Sequence, residues 1–565
     1  MKTTVLKYVL KNAYDFNGSI NPKAVLGLTL RNNPEFKKEI QKVNQTIEET
    51  IKEISKLNKE EIKVKLEKIA PELLQEKKKE EIKGPLKPLV RAEKGKVVVR
   101  IAPSPSGPLH IGHAYGASLN YEYAKMYNGK FIVRIEDTNP ENIYPQAYEL
   151  IEKDARWLSE NNISEVIVQS SRLGIYYDHA EKLVNIGKAY VCTCNTDKFR
   201  EMKAKSKACP CRDLEIKVNQ LRYAKMFNEY AEGEAVLRLK TDINHKNPAM
   251  RDFAIMRINE HVHPKTRKEQ RVWPLMVFSV AIDDHYLGLT HVLNGKDHAD
   301  NAKKEIMIMN YFYWEPPEYK HWGMINFTGF TLSSSKTRLA IEQGEYTSWE
   351  DIRLPFLPAL RRRGYQPEAF RKYALEIGLS LNDKTVAIEE FWKNVNSFNK
   401  EIVEKKANRY FFVDNPVEVS IENAPAEKVL LDLHPDFPKR GKRELIAKTS
   451  ILISQEDLKR LNEDSIHRLM DYCNFEIKDG KWIFISEKFE EYKNSEKKGS
   501  IIHWLPSETK LKVEVLQEDN SLIKGIGEET MKNLKEGDLV QLERRYFARL
   551  DKKEEGKLTF WYLHK

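Results

Sequence analysis

Between Lys96 and Lys188 the chain alternates short apolar runs with segments of helical length. "KVVVRIA" (96–102), "KFIVRIED" (130–137) and "EVIVQS" (165–170) read as strands. "LHIGHAYGASLNYEYAKMYN" (109–128), "PQAYELIEKDARWLSENN" (145–162) and "GIYYDHAEKLVNIGK" (174–188) read as helices. Strands apolar throughout, each followed by a helix, call for a parallel sheet covered by helices, so an α/β domain is expected. The rhythm breaks at "AYVCTC" (189–194), where cysteines, further helix and strands such as "EAVLRLKTD" follow. "VWPLMVFSVAIDDHYLGLTHVLNGKDH" (272–298) then resumes the buried-strand character. The reading is one nucleotide-binding domain in two halves, 95–190 and 271–345, interrupted by an insertion at 191–270.

The flanks differ in kind. Residues 1–94 place Ile, Val and Leu at three- and four-residue spacing and read as a helical domain. "EKKKEEIKGPLKP" (76–88) breaks that pattern as a linker. Residues 346–408 are helical again. From 409 to 565 short strands dominate, and "KLKVEVL", "DLVQLERRYFARLD" and "KLTFWYLH" alternate apolar and polar residues as barrel strands do. The 565 residues exceed what one core can serve, and about three to five domains are expected.

Charge narrows the partner. The formal net charge is +10, which suits a polyanion. A lysine-rich, heat-adapted surface gives the same number. No apolar run approaches the roughly 20 residues of a membrane span. "MKTTVLKYVLKNAYDF" has lysines within its short apolar stretch and reads as an amphipathic helix, not a signal peptide. A cytoplasmic protein is expected. Of the five cysteines, Cys473 stands alone and four form one cluster.

"RIAPSPSGPLHIGHAYGASLN" (100–120) carries the chemistry. Its Pro/Ser/Gly-rich turn feeds a helix, and helix N-termini attract anions. On that helix His110 and His113 share a face. Gly112 between them removes a side chain, which lets a flat ligand approach. The residues read as a site for phosphate and a purine; a surface or core histidine pair is the plain alternative.

The whole stretch resembles the HIGH motif of class I aminoacyl-tRNA synthetases, unaltered at His110–His113. "RIAPSPSG" and "FIVRIEDTNPEN" (131–142) are similar to blocks of the glutamyl/glutaminyl branch, on its glutamyl side. The β-rich C-terminal third matches the archaeal/eukaryotic type. "LSSSKTR" (332–338) resembles the KMSKS loop, aligned through Ser333, Ser334, Ser335, Lys336 and Thr337, with Ser333 in place of the first lysine.

The resemblance implies a multidomain α/β protein. It would have a Rossmann-like catalytic domain, an inserted acceptor-end domain, a helical stem-contact region and anticodon-binding β-barrels. It implies ligation of L-glutamate to tRNA(Glu) through a glutamyl-adenylate, with transfer to the terminal 2′-hydroxyl, and possible use of tRNA(Gln). ATP is a substrate, and Mg²⁺ bridges its phosphates. His110 and His113 would contact phosphate oxygens, with Gly112 beside the adenine, Asp297 near the ribose, and Ser335 and Lys336 on the triphosphate. Arg100 would take the side-chain carboxylate, and Ser104 and Glu136 the α-amino and α-carboxylate end. Asn294 stands where the family usually has a substrate-binding arginine, and Met276 where some relatives have a tyrosine. Asp283, Asp284 and His285 either orient the substrate or cap a strand. A glutaminyl enzyme and a catalytically lost RNA-binding paralogue are the alternatives.

Cys192, Cys194, Cys209 and Cys211 read C-x-C, fourteen residues, C-x-C. Four thiolates suit a tetrahedral, structural Zn²⁺; reduced, unliganded cysteines are the alternative. Arg361, Arg362 and Arg363 could contact tRNA phosphates or form a solvated basic face. Arg544, Arg545 and Arg549 lie among aromatics, which suits unstacked bases. The N-terminal helices serve tRNA or partner contacts, or an oligomerisation arm; a monomer is expected.

Overall fold

The computed structural model describes residues 1–16, 18–73, 86–267, 269–329 and 332–565. The chain divides into two units, Met1–Lys83 and Gly84–Lys565. Among the described residues no helix is long and apolar enough to cross a membrane.

The first unit holds α1 (Lys2–Asp15), α2 (Pro22–Asn32), α3 (Ile40–Ile54) and α4 (Lys59–Ile69). Val5, Val9, Val43, Ile47, Ile54, Ile62 and Leu66 form its core at the helical spacing legible in the sequence. Asn58 caps α4 reciprocally with Glu61: each side chain accepts the other's backbone N–H, at 3.0 and 2.9 Å.

The expected boundary at residue 94 needs correction. Residues 86–94 pack within the second unit. The Leu89 N–H donates to the Tyr127 hydroxyl (2.8 Å), Val90 O lies 2.9 Å from His291 Nε2, and Arg91 pairs with Glu315 and Glu318. Leu86 and Leu89 bury against this surface, which a charge-and-proline reading of the linker could not reveal. Residues 76–85 of that linker lie outside the described residues.

In the second unit β1 (Val98–Ile101), α5 (Ile111–Met126), β2 (Lys130–Ile135), α6 (Ala147–Leu158), β3 (Glu165–Val168) and α7 (Leu173–Asn185) follow in turn. The three strands pair in parallel in the order β1-β2-β3. The insertion contains β4 (Ala189–Cys192), α8 (Thr196–Ala204), α9 (Ile216–Met226), β5 (Val236–Leu239), β6 (Ala254–Ile258) and β7 (Val272–Pro274). Its strands form an antiparallel sheet in sequence order.

The chain then returns through α10 (Met276–Tyr286), β8 (His291–Gly295), α11 (Ala299–Tyr311) and β9 (Glu318–Trp322). β8 pairs in parallel with β9, and its approach lies against β1. There the Thr290 N–H donates to Val98 O (3.1 Å) and the Val98 N–H donates to Thr290 Oγ1 (2.9 Å). The strand order is therefore β3-β2-β1-β8-β9, reversing between β1 and β8. In α/β sheets the crevice beyond the strand ends at such a reversal binds ligands.

β10 (Ile325–Thr328), α12 (Ser334–Glu342), α13 (Leu357–Arg363), α14 (Pro367–Ile377), β11 (Lys384–Ala387) and α15 (Ile388–Val403) complete the helical region. β11, not expected from the sequence, pairs in parallel with β10.

Beyond it lie two seven-stranded sheets. One has Asn408–Tyr410 and Phe412–Asp414 as its outer strands, separated by Phe411 alone. The other has Lys498–Ile502 and Leu505–Pro506 as its outer strands, separated by His503 and Trp504. Because one short step of chain joins opposite edges, each sheet closes on itself, which removes exposed edges.

Candidate active site

At the β1/β8 reversal lies a cleft of about 500 Å³. Arg100, Ser104, His110, Gly112, His113, Glu136, Met276, Asn294 and Asp297 all line it, as does Leu332 of the serine-rich loop. Ser335 and Lys336 do not. They sit in the first turn of α12, capped by Ser333, whose Oγ accepts the Lys336 N–H (3.4 Å). Lys336 is exposed, and no ion pair engages it among the described residues.

The histidines are held differently from a simple i, i+3 pair. α5 starts at Ile111, so His110 is its N-cap. Its Nδ1 accepts the N–H groups of Gly112 (3.1 Å) and His113 (3.3 Å), and His113 Nδ1 accepts the His110 N–H (3.3 Å). The rings stack with centroids 3.8 Å apart. A nitrogen that accepts a backbone proton carries none, so each neutral ring has its hydrogen on Nε2. The surrounding protein lowers both histidines' pKa, His113's to about 4, although the outer ring edges meet the open cleft. Both rings are therefore neutral donors at pH 7.

Gly112 has a role the sequence reading lacked. A Cβ there would stand 3.0 Å from His110 Cε1, so glycine also makes room for the capping ring. Gly107 likewise admits the neighbouring loop: a Cβ there would lie 2.9 Å from Trp349 and 3.0 Å from Ser334 Cβ.

On both sides the motif is stitched to the chain entering α13. The Leu357 N–H donates to Leu109 O (2.8 Å), and the Ile111 N–H to Pro355 O (3.2 Å). Asp154 of α6 adds a third tie, accepting the Leu109 N–H (3.1 Å) and pairing with Arg361 (3.3 Å).

Beneath the cleft runs a buried ionic layer. Arg134, fully buried on β2, donates to Asp284 and to Glu136 (3.1 Å). Arg100 on β1 places its Nε 3.6 Å from the same Asp284. Burial raises the Glu136 pKa, against the pull of Arg134 and Arg100. Asp283 instead accepts from Arg172, Tyr176 and Gln169, while His285 stacks on Trp314 at 3.8 Å. The strand-cap expectation for Asp283, Asp284 and His285 does not hold. They occupy the end of α10, and Asp284 is the counter-ion of the two arginines below the cleft. Asn294 accepts a hydrogen bond at Oδ1 from His321 (2.6 Å) if Nδ1 carries the proton. Asp297 is exposed and lies 3.6 Å from His298.

Arg134 and Glu305 were missed by sequence reasoning, and Asp284 was named without its arginine partners. Arg134 had a signal, a charge inside "FIVRI". Glu305, in "AKKEIMIMNY", looks like any outward helix position.

The cysteines converge. The sulfurs of Cys192, Cys194, Cys209 and Cys211 all lie within 4.8 Å of one another, with Cys192–Cys209 at 3.9 Å and Cys194–Cys211 at 3.7 Å. Four thiolates around Zn²⁺, each about 2.3 Å from it, stand about 3.8 Å apart. The donor set therefore fits a closed structural site. Arg222 donates to Cys211 Sγ (3.4 Å), which favours a thiolate.

The arginine expectation needs correction. Arg363 is 7% exposed and donates to the carbonyls of Tyr562 (3.2 Å) and Leu563 (2.9 Å). Arg362 forks onto Asp551 at 2.8 Å twice and lies over Trp561 (4.2 Å). Arg361 pairs with Asp154, as described. These charges tie α13 to α6 and the C-terminal strands, with Arg363 buried and Arg361 and Arg362 half-buried, so each already has a protein partner. Arg544 pairs with Asp457, Arg545 with Asp414 and Glu456, and Arg549 donates to Arg362 O. The aromatic–basic strand is likewise engaged internally.

Residues 96–405 match the model for tRNA synthetases class I (E and Q), catalytic domain. Residues 407–492 and 501–551 match models for the anti-codon binding domain of the same class. A glutamate–tRNA ligase of Pyrococcus furiosus is 45% identical over 572 residues, covering 99% of both chains. Those of Methanococcus maripaludis and Methanocaldococcus jannaschii are 43% and 42% identical, covering 100% of both chains.

Proposed function

The chain belongs to the class I tRNA synthetases of the E and Q type, and on that premise we propose that it is a glutamate–tRNA ligase. It joins L-glutamate to tRNA(Glu) by way of a glutamyl-adenylate and transfers the glutamyl group to the 2′-hydroxyl of the terminal adenosine. One observation carries this reading most directly. The paired Nε2–H donors of His110 and His113 share a cleft with Arg100 and Glu136, so phosphate donors face amino-acid ligands.

The chemistry follows from charge. A glutamate α-carboxylate is already ionised at pH 7 and attacks the α-phosphorus without a base. Catalysis is then positioning plus stabilisation of developing charge. Arg100 holds the side-chain carboxylate, its planar fork matching that group. Glu136 pairs with the α-ammonium, with Ser104 at the same end. His110 and His113 donate to phosphate oxygens, Gly112 faces the adenine and Asp297 the ribose. Lys336, with Ser335, meets the triphosphate as pyrophosphate leaves. Mg²⁺ enters with ATP and neutralises its phosphates.

Cys192, Cys194, Cys209 and Cys211 hold a structural Zn²⁺ that ties the start of the insertion together. The insertion receives the acceptor end, residues 346–408 the stem, and the closed sheets the anticodon. The N-terminal helices contact tRNA or a partner. The enzyme works in the cytoplasm as a monomer, and tRNA(Gln) is the candidate second RNA substrate. A second reading, glutamine as substrate, draws on Asn294, a neutral side chain where the family pattern has a cation. ATP–pyrophosphate exchange with and without tRNA, followed by charging of both transcripts with both amino acids, tests these readings. Exchange with glutamine alone would reverse the assignment, and no exchange with either would leave an RNA-binding paralogue.

A further inference from the structure

The wall of the cleft holds a carboxyl group with no role so far. Glu305 of α11 is 4% exposed, lines the cleft with Arg100, Glu136 and Asn294, and its Oε2 has no hydrogen-bond partner among the described residues. Arg100 Nε and Asn120 Oδ1, on the same cleft, also lack partners. A buried polar atom destabilises the fold unless something pairs with it. Their concentration on one cleft points to a polar ligand that completes them.

Charge decides what ligand that is. Arg100 and Arg134 bring two positive charges, and Asp284 and Glu136 two negative ones. Asn294 adds none. An ionised Glu305 would make this layer net negative and repel a carboxylate, whereas a neutral Glu305 offers a hydroxyl donor. Burial, and after it the Asp284 charge, pushes Glu305 up to about 8. Arg100, the neighbouring Tyr319 hydroxyl of β9 and Arg134 pull the other way, and Tyr319 is itself shifted up by burial. At pH 7 the group is therefore mainly neutral.

We propose that Glu305 sets the amino-acid selectivity of the cleft: as a neutral acid it donates to the glutamate side-chain carboxylate, and as a carboxylate it accepts from the glutamine amide. The inference rests on the reading of this cleft as the amino-acid site. It makes one side chain, absent from every motif, the switch between the two substrates of this branch.

The test is tRNA-dependent pyrophosphate exchange with glutamate and with glutamine from pH 6.5 to 9, for wild type and Glu305→Gln. In wild type the glutamate-over-glutamine ratio of kcat/KM falls by up to about tenfold per pH unit above about 8. In Glu305→Gln, which cannot ionise, the ratio stays flat. His298, His321 and Glu136 also line or adjoin the cleft, but all three are present in both proteins and so cannot cause that difference. Binding of non-hydrolysable glutamyl- and glutaminyl-adenylate analogues to wild type over the same range repeats the measurement without a substitution. A wild-type ratio that ignores pH, or a slope that persists in Glu305→Gln, would overturn the assignment. Wild type that exchanges with neither amino acid would instead overturn the synthetase reading, and this inference with it.

Discussion

His110 and His113 cap each other: the Nδ1 of each ring accepts the backbone N–H of the other residue. One hydrogen-bond pair thus builds the helix start and aims both Nε2–H donors away from the backbone. Structure and chemistry can be separated by substitution. Asparagine is a good N-cap but lacks the far ring edge. His110→Asn should keep the wild-type melting temperature yet slow adenylate formation about 10²–10³-fold, the usual cost of one preorganised donor. His110→Ala should lose the same rate and about 1 kcal/mol of stability besides. Full activity in His110→Asn would remove the ring from the mechanism.

Lys336 stands on the first turn of α12 with no ion pair among the described residues, so its charge is available to a ligand. Lys336→Ala should slow pyrophosphate exchange by about 10²-fold or more while leaving the affinity for tRNA unchanged. Unchanged exchange would show that "LSSSKTR" is not the counterpart of the KMSKS loop.

Metal content should approach one Zn²⁺ per chain in protein purified without a tag. Cys209→Ser should lose the metal and lower the melting temperature, because a structural site contributes folding energy. The wild-type result decides the matter: metal near zero means four reduced thiols.

Arg362 forks onto Asp551 and stacks on Trp561, which makes it a tie between α13 and the C-terminal strands. Arg362→Ala should lower stability and leave the slope of log K for tRNA against log salt unchanged. A phosphate-binding arginine would instead reduce that slope by about 1. A shallower slope at unchanged stability would restore the phosphate-contact expectation.

Patterning made much of the architecture legible. Apolar strands between helices pointed to the parallel β1-β2-β3 sheet, and period-two alternation after Asn408 to the closed sheets. The domain boundary expected at residue 94 lies too late because lysines and prolines beside Leu86 and Leu89 masked the two leucines that bury. The arginine run failed for a related reason. A basic stretch looks the same whether its partner is phosphate in solution or Asp551 and two carbonyls far along the chain.

What the sequence determined by itself is what neighbouring residues can settle: element periodicity, the His-x-x-His helix start, and the two C-x-C pairs. Which charges end up facing each other was decided only by tertiary structure. Arg134 meets Asp284 across 150 residues, and Asp154 meets Arg361 across 207. A guanidinium or carboxylate needs water or an opposite charge, but the fold alone decides which partner it meets; burial and the nearest charge then set a carboxyl's protonation. For Glu305 both arrive only when α11 is laid against the β1/β8 crevice, so no local pattern could have announced it.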